Sequence, residues 1–142
     1  MLKFQSTSAF QESLKKLSNN YNTIKLDLTG EFSDLSFEDI FAKKYVLKDS
    51  GIAKILKVRI ANSEQNKGKS SGFRILLIAD SRTFEVTFLN MFAKTGSDGK
   101  DNIDKEELKE CLSIYKSEKK SNTLVELDPK DSFNIKVSIS CE

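Results

Sequence analysis

The segment from Gly72 to Ala79 constrains the fold of this chain more than any other feature. Its residues are apolar at both odd and even positions, with Arg74 as the exception. A strand with one face in water alternates apolar and polar residues, whereas a strand covered on both faces forms a continuous apolar run. The run therefore predicts a central strand of a β-sheet, buried on both faces.

Further strands are predicted on either side of this run. From residue 54 to residue 60 apolar residues recur at every second position, while Lys57 and Arg59 point to the opposite face. Residues 84 to 93 are nearly all apolar and predict a third long strand, which ends at Lys94. Residues 2 to 4 suit a short first strand. After Pro129, residues 133 to 139 alternate and predict a half-buried strand at an edge of the sheet.

Three segments have apolar residues at helical spacing. Ser8 with Gln11 is typical of a capping box that opens a helix over residues 9 to 19, and a second helix follows after a short break. Asp104 with Glu107 predicts the start of a last helix in the same way. The apolar stripes of the three helices are Phe10, Leu14, Leu17 and Tyr21; Ile24, Leu28, Phe32 and Leu35; and Leu108, Cys111, Leu112 and Tyr115.

These elements predict one α+β domain over residues 1–142. The expected architecture is an N-terminal helical hairpin packed on a mainly antiparallel twisted sheet, followed by a C-terminal helix and an extra C-terminal strand. A chain of 142 residues suits a single domain with a sizeable core. We expect the helices on one face of the sheet, and Lys57, Arg59 and Arg74 on the other.

The charge of the chain is concentrated in its middle. The formal net charge is +2, but residues 54–94 carry eight basic and three acidic residues, whereas residues 95–142 carry eight basic and eleven acidic residues. A basic stretch of this kind favours a polyanionic partner such as RNA. The residues predicted to bind RNA are Lys54, Lys57 and Arg59 in this stretch, together with Lys100 beyond it.

Several other classes of site and location do not suit this sequence. No apolar run approaches the roughly 18 residues of a membrane span, and the first residues lack the pattern of a signal peptide, so we expect a cytoplasmic protein with reduced cysteines. The segment 67–72 lacks the first glycine of a phosphate-binding loop and leads into a strand, not a helix. We therefore expect no nucleoside-triphosphate site. An EF-hand alignment of residues 96–107 fails at three positions. Gly96 and Lys100 stand where the loop needs ligands, and Asp101 stands where it needs glycine. We therefore expect no metal and no cofactor.

Arg74 is the residue whose position most invites a function. An arginine inside a buried strand is costly unless it meets a carboxylate, solvent or a ligand. A salt bridge is one reading; the other is a phosphate clamp, since guanidinium binds phosphate oxygens bidentately. RNA cleavage by the ribose 2′-hydroxyl needs a base, an acid and positive charge on the phosphate. Because the sequence has no histidine, lysine, tyrosine or a carboxylate would have to move the protons.

Four stretches of the chain resemble the RelE/ParE superfamily of bacterial toxins, on its RelE-like branch. The central one is the most specific and is similar to the family's K-[IV]-R-[LIV]-A…KGKSGG-[FY]-R-[VI] signature. The matching stretches are residues 10–24 of the helical hairpin, residues 57–62 with 67–75, residues 88–94 and residues 104–108. The resemblance covers about residues 2–118, and residues 119–142 extend beyond the family's usual end.

The resemblance implies a toxin of a type II toxin–antitoxin system that cuts mRNA on the ribosome without a metal. Its expected partners are an antitoxin protein, the ribosome and mRNA. Carried over by position, the implied catalytic residues are Lys67, Lys69, Arg74 and Lys94. Two other activities remain open: inhibition of DNA gyrase, as in ParE-like members, and RNA binding without cleavage. Thr95 follows Lys94 where the family often has an arginine, and residues 96–99 are an insertion.

Overall fold

The two-sided apolar run forms an interior strand of a seven-stranded sheet. In the computed structural model, which describes residues 2–65, 72–94 and 103–135, the run becomes β4, hydrogen-bonded to β3 on one side and β5 on the other. The strand order is β2-β3-β4-β5-β1-β6-β7, with β1 parallel to β5 and the other neighbours antiparallel. The α+β class and the mainly antiparallel sheet are therefore confirmed.

The elements follow the sequence pattern closely in the middle of the chain and less closely at its ends. The strands are β1 (Lys3–Ser6), β2 (Val46–Asp49), β3 (Ala53–Ile60), β4 (Phe73–Asp80), β5 (Glu85–Ala93), β6 (Val125–Asp128) and β7 (Asn134–Ile135). The helices are α1 (Ser8–Asn20), α2 (Ile24–Phe32), α3 (Phe37–Phe41) and α4 (Lys105–Ser121). The sequence pattern had predicted neither α3 nor the strands β2 and β6.

One face of the sheet packs against the first three helices. The predicted stripes of α1 and α2 are buried there with alternate residues of β3, β4 and β5, such as Val58, Ile75 and Phe88. Leu35 belongs to the same stripe but lies beyond the end of α2. The 3.6-residue and two-residue periodicities therefore identified the residues that meet in this core.

The opposite face packs against α4, so the expectation that all helices lie on one face is wrong. Cys111 and Tyr115 of α4 form a second buried cluster with residues from the other parity of the strands: Ile55, Leu76, Leu89 and Phe92. A strand that is apolar on both faces needs cover on both faces, because exposing one side to water would forfeit roughly 25 cal/mol per Å² of apolar surface. The C-terminal helix provides that cover.

The start of α1 differs from the predicted capping box. Thr7, not Ser8, is the N-cap, and its hydroxyl accepts a hydrogen bond from Phe10 N at 3.2 Å. Ser8 instead joins α1 to α4, because its backbone N donates to Glu118 Oε1 at 2.8 Å and its hydroxyl donates to the other oxygen of that carboxylate. The cap therefore shifts by one residue, and the serine becomes a contact between helices on different layers.

The segment that follows α4 contributes to the core through its described residues. Its residues supply β6, which pairs with β1, and β7, which pairs with β6. Phe133 is 1% exposed and its ring centroid lies 5.2 Å from that of Phe88 and 5.9 Å from that of Phe32. The predicted strand over residues 133–139 is seen only as β7, and residues 136–142 lie outside the described residues. Within the described ranges, no helix is both long and apolar enough to cross a membrane.

Replacing Asp104 with alanine should lower the free energy of unfolding by about 1 kcal/mol. Asp104 is the predicted N-cap of α4, and its carboxylate accepts a hydrogen bond from Glu107 N at 2.8 Å in a complete capping box. Lys105→Ala, one residue later at an exposed position, is the control and should change stability little. Urea denaturation of the three proteins measures the difference, and equal losses in both variants would exclude a role for the cap.

Candidate functional site

A row of cationic side chains crosses the α4-facing side of the sheet near one end. Arg59 on β3 and Arg74 on β4 are direct cross-strand partners, so both point to this face. Lys57 lies two residues along β3 on the same face, opposite Leu76. On the other side of Arg74 the cross-strand partner is Phe92 of β5. The sheet therefore brings together three of the residues that the sequence assigned to phosphate binding.

Arg74 is buried far more deeply than its charge would suggest. Its side chain is 2% exposed, and Nη1 donates to the backbone oxygen of Phe73 at 3.1 Å. A like charge directly across the ladder destabilises a sheet, and here the opposite residue is Arg59. A guanidinium group presents its donors in a fork geometry that suits phosphate.

Arg59 is held by an aromatic ring at the edge of the sheet. Its guanidinium carbon lies 4.4 Å from the ring centroid of Tyr45, within the range of a cation–π contact. Tyr45 directly precedes β2, and its backbone oxygen accepts a hydrogen bond from Lys57 N at 2.9 Å. Within the described part of the chain, Nε of Arg59 is buried and has no hydrogen-bond partner.

Gly72 fixes the position at which β4 enters this region. A Cβ atom at Gly72 would lie 2.1 Å from the backbone oxygen of Ile60 and 2.8 Å from Asn62 N, so only glycine fits. The backbone oxygen of Gly72 also accepts a hydrogen bond from Lys94 N at 3.0 Å. Lys94, a predicted catalytic residue, therefore lies beside Gly72, which precedes Arg74 by two residues.

Lys54 lies on the other face of the sheet, away from this group. Its Nζ donates to the backbone oxygen of Phe41 at 3.0 Å and lies 4.2 Å from the centroid of that ring. The contact is with α3, in the layer opposite α4. The structure thus separates Lys54 from Lys57 and Arg59, although charge alone grouped them.

An acidic residue on the same face lies at the far end of β4. Asp80 is six residues from Arg74, which corresponds to about 20 Å along a strand. Burial raises the pKa of Asp80, but hydrogen bonds from the backbone and side chain of Arg82 hold it below its ordinary value. The carboxylate therefore stays ionised beside Arg82, with Oδ2 3.4 Å from Nη2, and is too distant to neutralise Arg59.

Three of the predicted site residues, Lys67, Lys69 and Lys100, lie outside the described residues. The described chain stops at residue 65 and resumes at residue 72, and it stops again at residue 94 and resumes at residue 103. The first gap joins the end of the β3 region to β4, and the second follows β5.

Tyr45 is the site residue that sequence reasoning missed. The signal was a short hairpin: Tyr45 and Val46 have high strand propensity and are followed by an Asp-Ser-Gly turn. In the structure Gly51 has a φ of 86°, and its N donates to Asp49 Oδ1 at 2.7 Å, as such a turn requires. The hairpin identifies β2, and strand alternation then places Tyr45 on the same face as Lys57 and Arg59.

The arrangement can bind a phosphodiester and stabilise added negative charge on it. Arginine and lysine supply fixed donors, and a partly buried setting strengthens each charge interaction relative to bulk water. Titratable groups among the described residues here include the Tyr45 phenol and the ammonium groups of Lys57 and Lys94, and the Lys44 ammonium lies 5.4 Å from the Tyr45 ring centroid. Comparison with protein-family models, with curated proteins and with solved structures gave no match.

Proposed function

We propose that this chain binds RNA phosphates on the Arg59–Arg74 face and cleaves mRNA on the ribosome, as a RelE-like toxin. The main support is that Arg59 and Arg74 are cross-strand partners on one face of the sheet. Lys57 lies on the same face, and Lys94 lies beside the start of β4. The family resemblance supports the same reading, because its central signature contains Lys57, Arg59, Gly72 and Arg74. No metal is needed if lysine or tyrosine moves the protons.

The roles follow from the position of each group. Arg59 would hold the scissile phosphate, and the buried Arg74 beside it would add positive charge that stabilises the charge developing on that phosphate. Lys94, beside the start of β4, would contact the RNA or carry a proton. Lys57 would bind a neighbouring phosphate. A cognate antitoxin would neutralise this basic face, which suits an acidic and amphipathic protein.

Expression of the protein in a bacterial host should produce new mRNA 5′ ends within translated messages, and Arg59→Gln should reduce them about 10- to 100-fold. A hydrogen bond to a charged group typically contributes enough to account for this range. Primer extension on a defined message measures the cuts. Lys16→Gln removes one positive charge from an exposed site on α1 and should cut as the parent protein does.

Arg59→Gln is a better first variant than Arg74→Ala. Arg74 is 2% exposed, so truncation to alanine also removes buried volume, and lost cleavage could then reflect lost folding. Arg74→Lys, which keeps the charge but loses the bidentate fork, is the second variant. Growth arrest with intact mRNA and a DNA-damage response would instead indicate gyrase as the target. RNA binding without cuts or arrest would indicate a binding protein only.

A further inference from the structure

We propose that Tyr45 is a positioning residue that sets the guanidinium of Arg59 for contact with an RNA phosphate. The inference rests on RNA binding by the Arg59–Arg74 face, and it does not depend on whether the bound RNA is cleaved. Tyr45 lies outside the stretches that resemble the toxin family.

The pairing of β2 with β3 sets the geometry of the Arg59–Tyr45 pair. The backbone bond between Lys57 N and Tyr45 O aligns Tyr45 with Lys57, so Arg59 is the diagonal neighbour of Tyr45 on the same face. Diagonal neighbours across antiparallel strands are within reach of aromatic and long side chains. The 4.4 Å separation of guanidinium carbon and ring centroid is therefore a product of the β2–β3 register.

The Tyr45 ring restricts the conformations of the Arg59 guanidinium. A free arginine on a sheet has many rotamers, and ordering it on binding reduces affinity. A ring under the flat face of the guanidinium restricts those rotamers and leaves the N–H edges to form hydrogen bonds. The buried Nε of Arg59 has no hydrogen-bond partner in the described chain, whereas the Tyr45 ring lies within cation–π range of the same guanidinium.

A second cation–π pair on β3, between Lys54 and Phe41, differs from the Arg59–Tyr45 pair. Lys54 lies 4.2 Å from the ring centroid of Phe41, on the opposite face, and its ammonium group already donates to the Phe41 backbone oxygen. That pair joins β3 to α3 and has a structural role. The Arg59–Tyr45 pair instead lies at an exposed edge strand beside the cationic row.

Fluorescence anisotropy with a 12-nucleotide uridine oligomer tests the proposal in the full-length protein. Tyr45→Leu should weaken binding about 3- to 30-fold, whereas Tyr45→Phe should bind as the parent protein does. Because one phosphate contact is lost, the slope of log affinity against log salt should fall by about 0.7 in Tyr45→Leu, as it should in Arg59→Gln. A purely structural loss would not change this slope.

The matched control is Phe41→Leu, which removes the ring beneath the other cation and should leave binding unchanged. The double variant Tyr45→Leu/Arg59→Gln should bind about as weakly as Arg59→Gln alone, because the ring acts through that arginine. Additive losses, or an unchanged affinity and salt slope in Tyr45→Leu, would overturn the proposal while RNA binding stands. Absence of oligomer binding by the parent protein would overturn both. Binding with these effects, but no mRNA cuts in cells, would retain the proposal and reject cleavage.

Discussion

Replacing Phe88 with alanine should lower the free energy of unfolding by about 3–5 kcal/mol, the range for a fully buried phenylalanine. Phe88 is 0% exposed, and its ring centroid lies within 5.1–5.7 Å of those of Phe4, Phe10, Phe32 and Phe133. These neighbours come from β1, α1, α2 and the C-terminal extension. One truncation therefore removes contacts with four separate segments of the chain.

Urea denaturation followed by circular dichroism measures this effect, and the dependence of stability on urea concentration should be unchanged if folding stays two-state. Phe88→Leu keeps most of the side-chain volume and should cost clearly less. A loss below about 1.5 kcal/mol in Phe88→Ala would mean that the surrounding rings collapse into the space. A domain of this size has only about 5–15 kcal/mol of stability, so the alanine variant should lose a large fraction of it.

Gly72→Ala should have the second large effect, with a loss of about 2–3 kcal/mol or more. The added methyl group would lie 2.1 Å from Ile60 O and 2.8 Å from Asn62 N, and backbone atoms cannot rotate away as a side chain does. The start of β4 would have to move from β3. Because Arg74 follows two residues later, the same shift should weaken binding of RNA to the cationic row.

Gly30→Ala is the matched control for this substitution. Gly30 lies within α2, and a Cβ atom there would meet nothing within 4 Å. Alanine favours the helix by up to about 1 kcal/mol, so this variant should be as stable as the parent protein or more so. Thermal unfolding of both variants measures the contrast. Equal stability of Gly72→Ala and the parent protein would show that β3 and β4 are not so closely held at Gly72.

The amino-acid pattern alone was enough to assign faces along β3 and to predict that β4 is covered on both sides. The two-residue alternation placed Lys57 and Arg59 opposite Val58, and the two-sided run predicted a strand covered on both faces. The capping pattern of Asp104 and Glu107 located the start of α4, because a cap is a local contact over four residues. The toxin family, the mRNA cleavage and the predicted roles of individual lysines stay predictions.

Tertiary structure decided which elements cover those faces and which side chains meet. Periodicity assigns a residue to a face of its own element, but it does not say which helix packs there, so the position of α4 opposite α1 was missed. Phe133 enters the core from the C-terminal extension, and β1 inserts parallel to β5, through contacts distant in sequence. The Arg59–Tyr45 pair depends in the same way on the β2–β3 register, which the two segments acquire only when they pair.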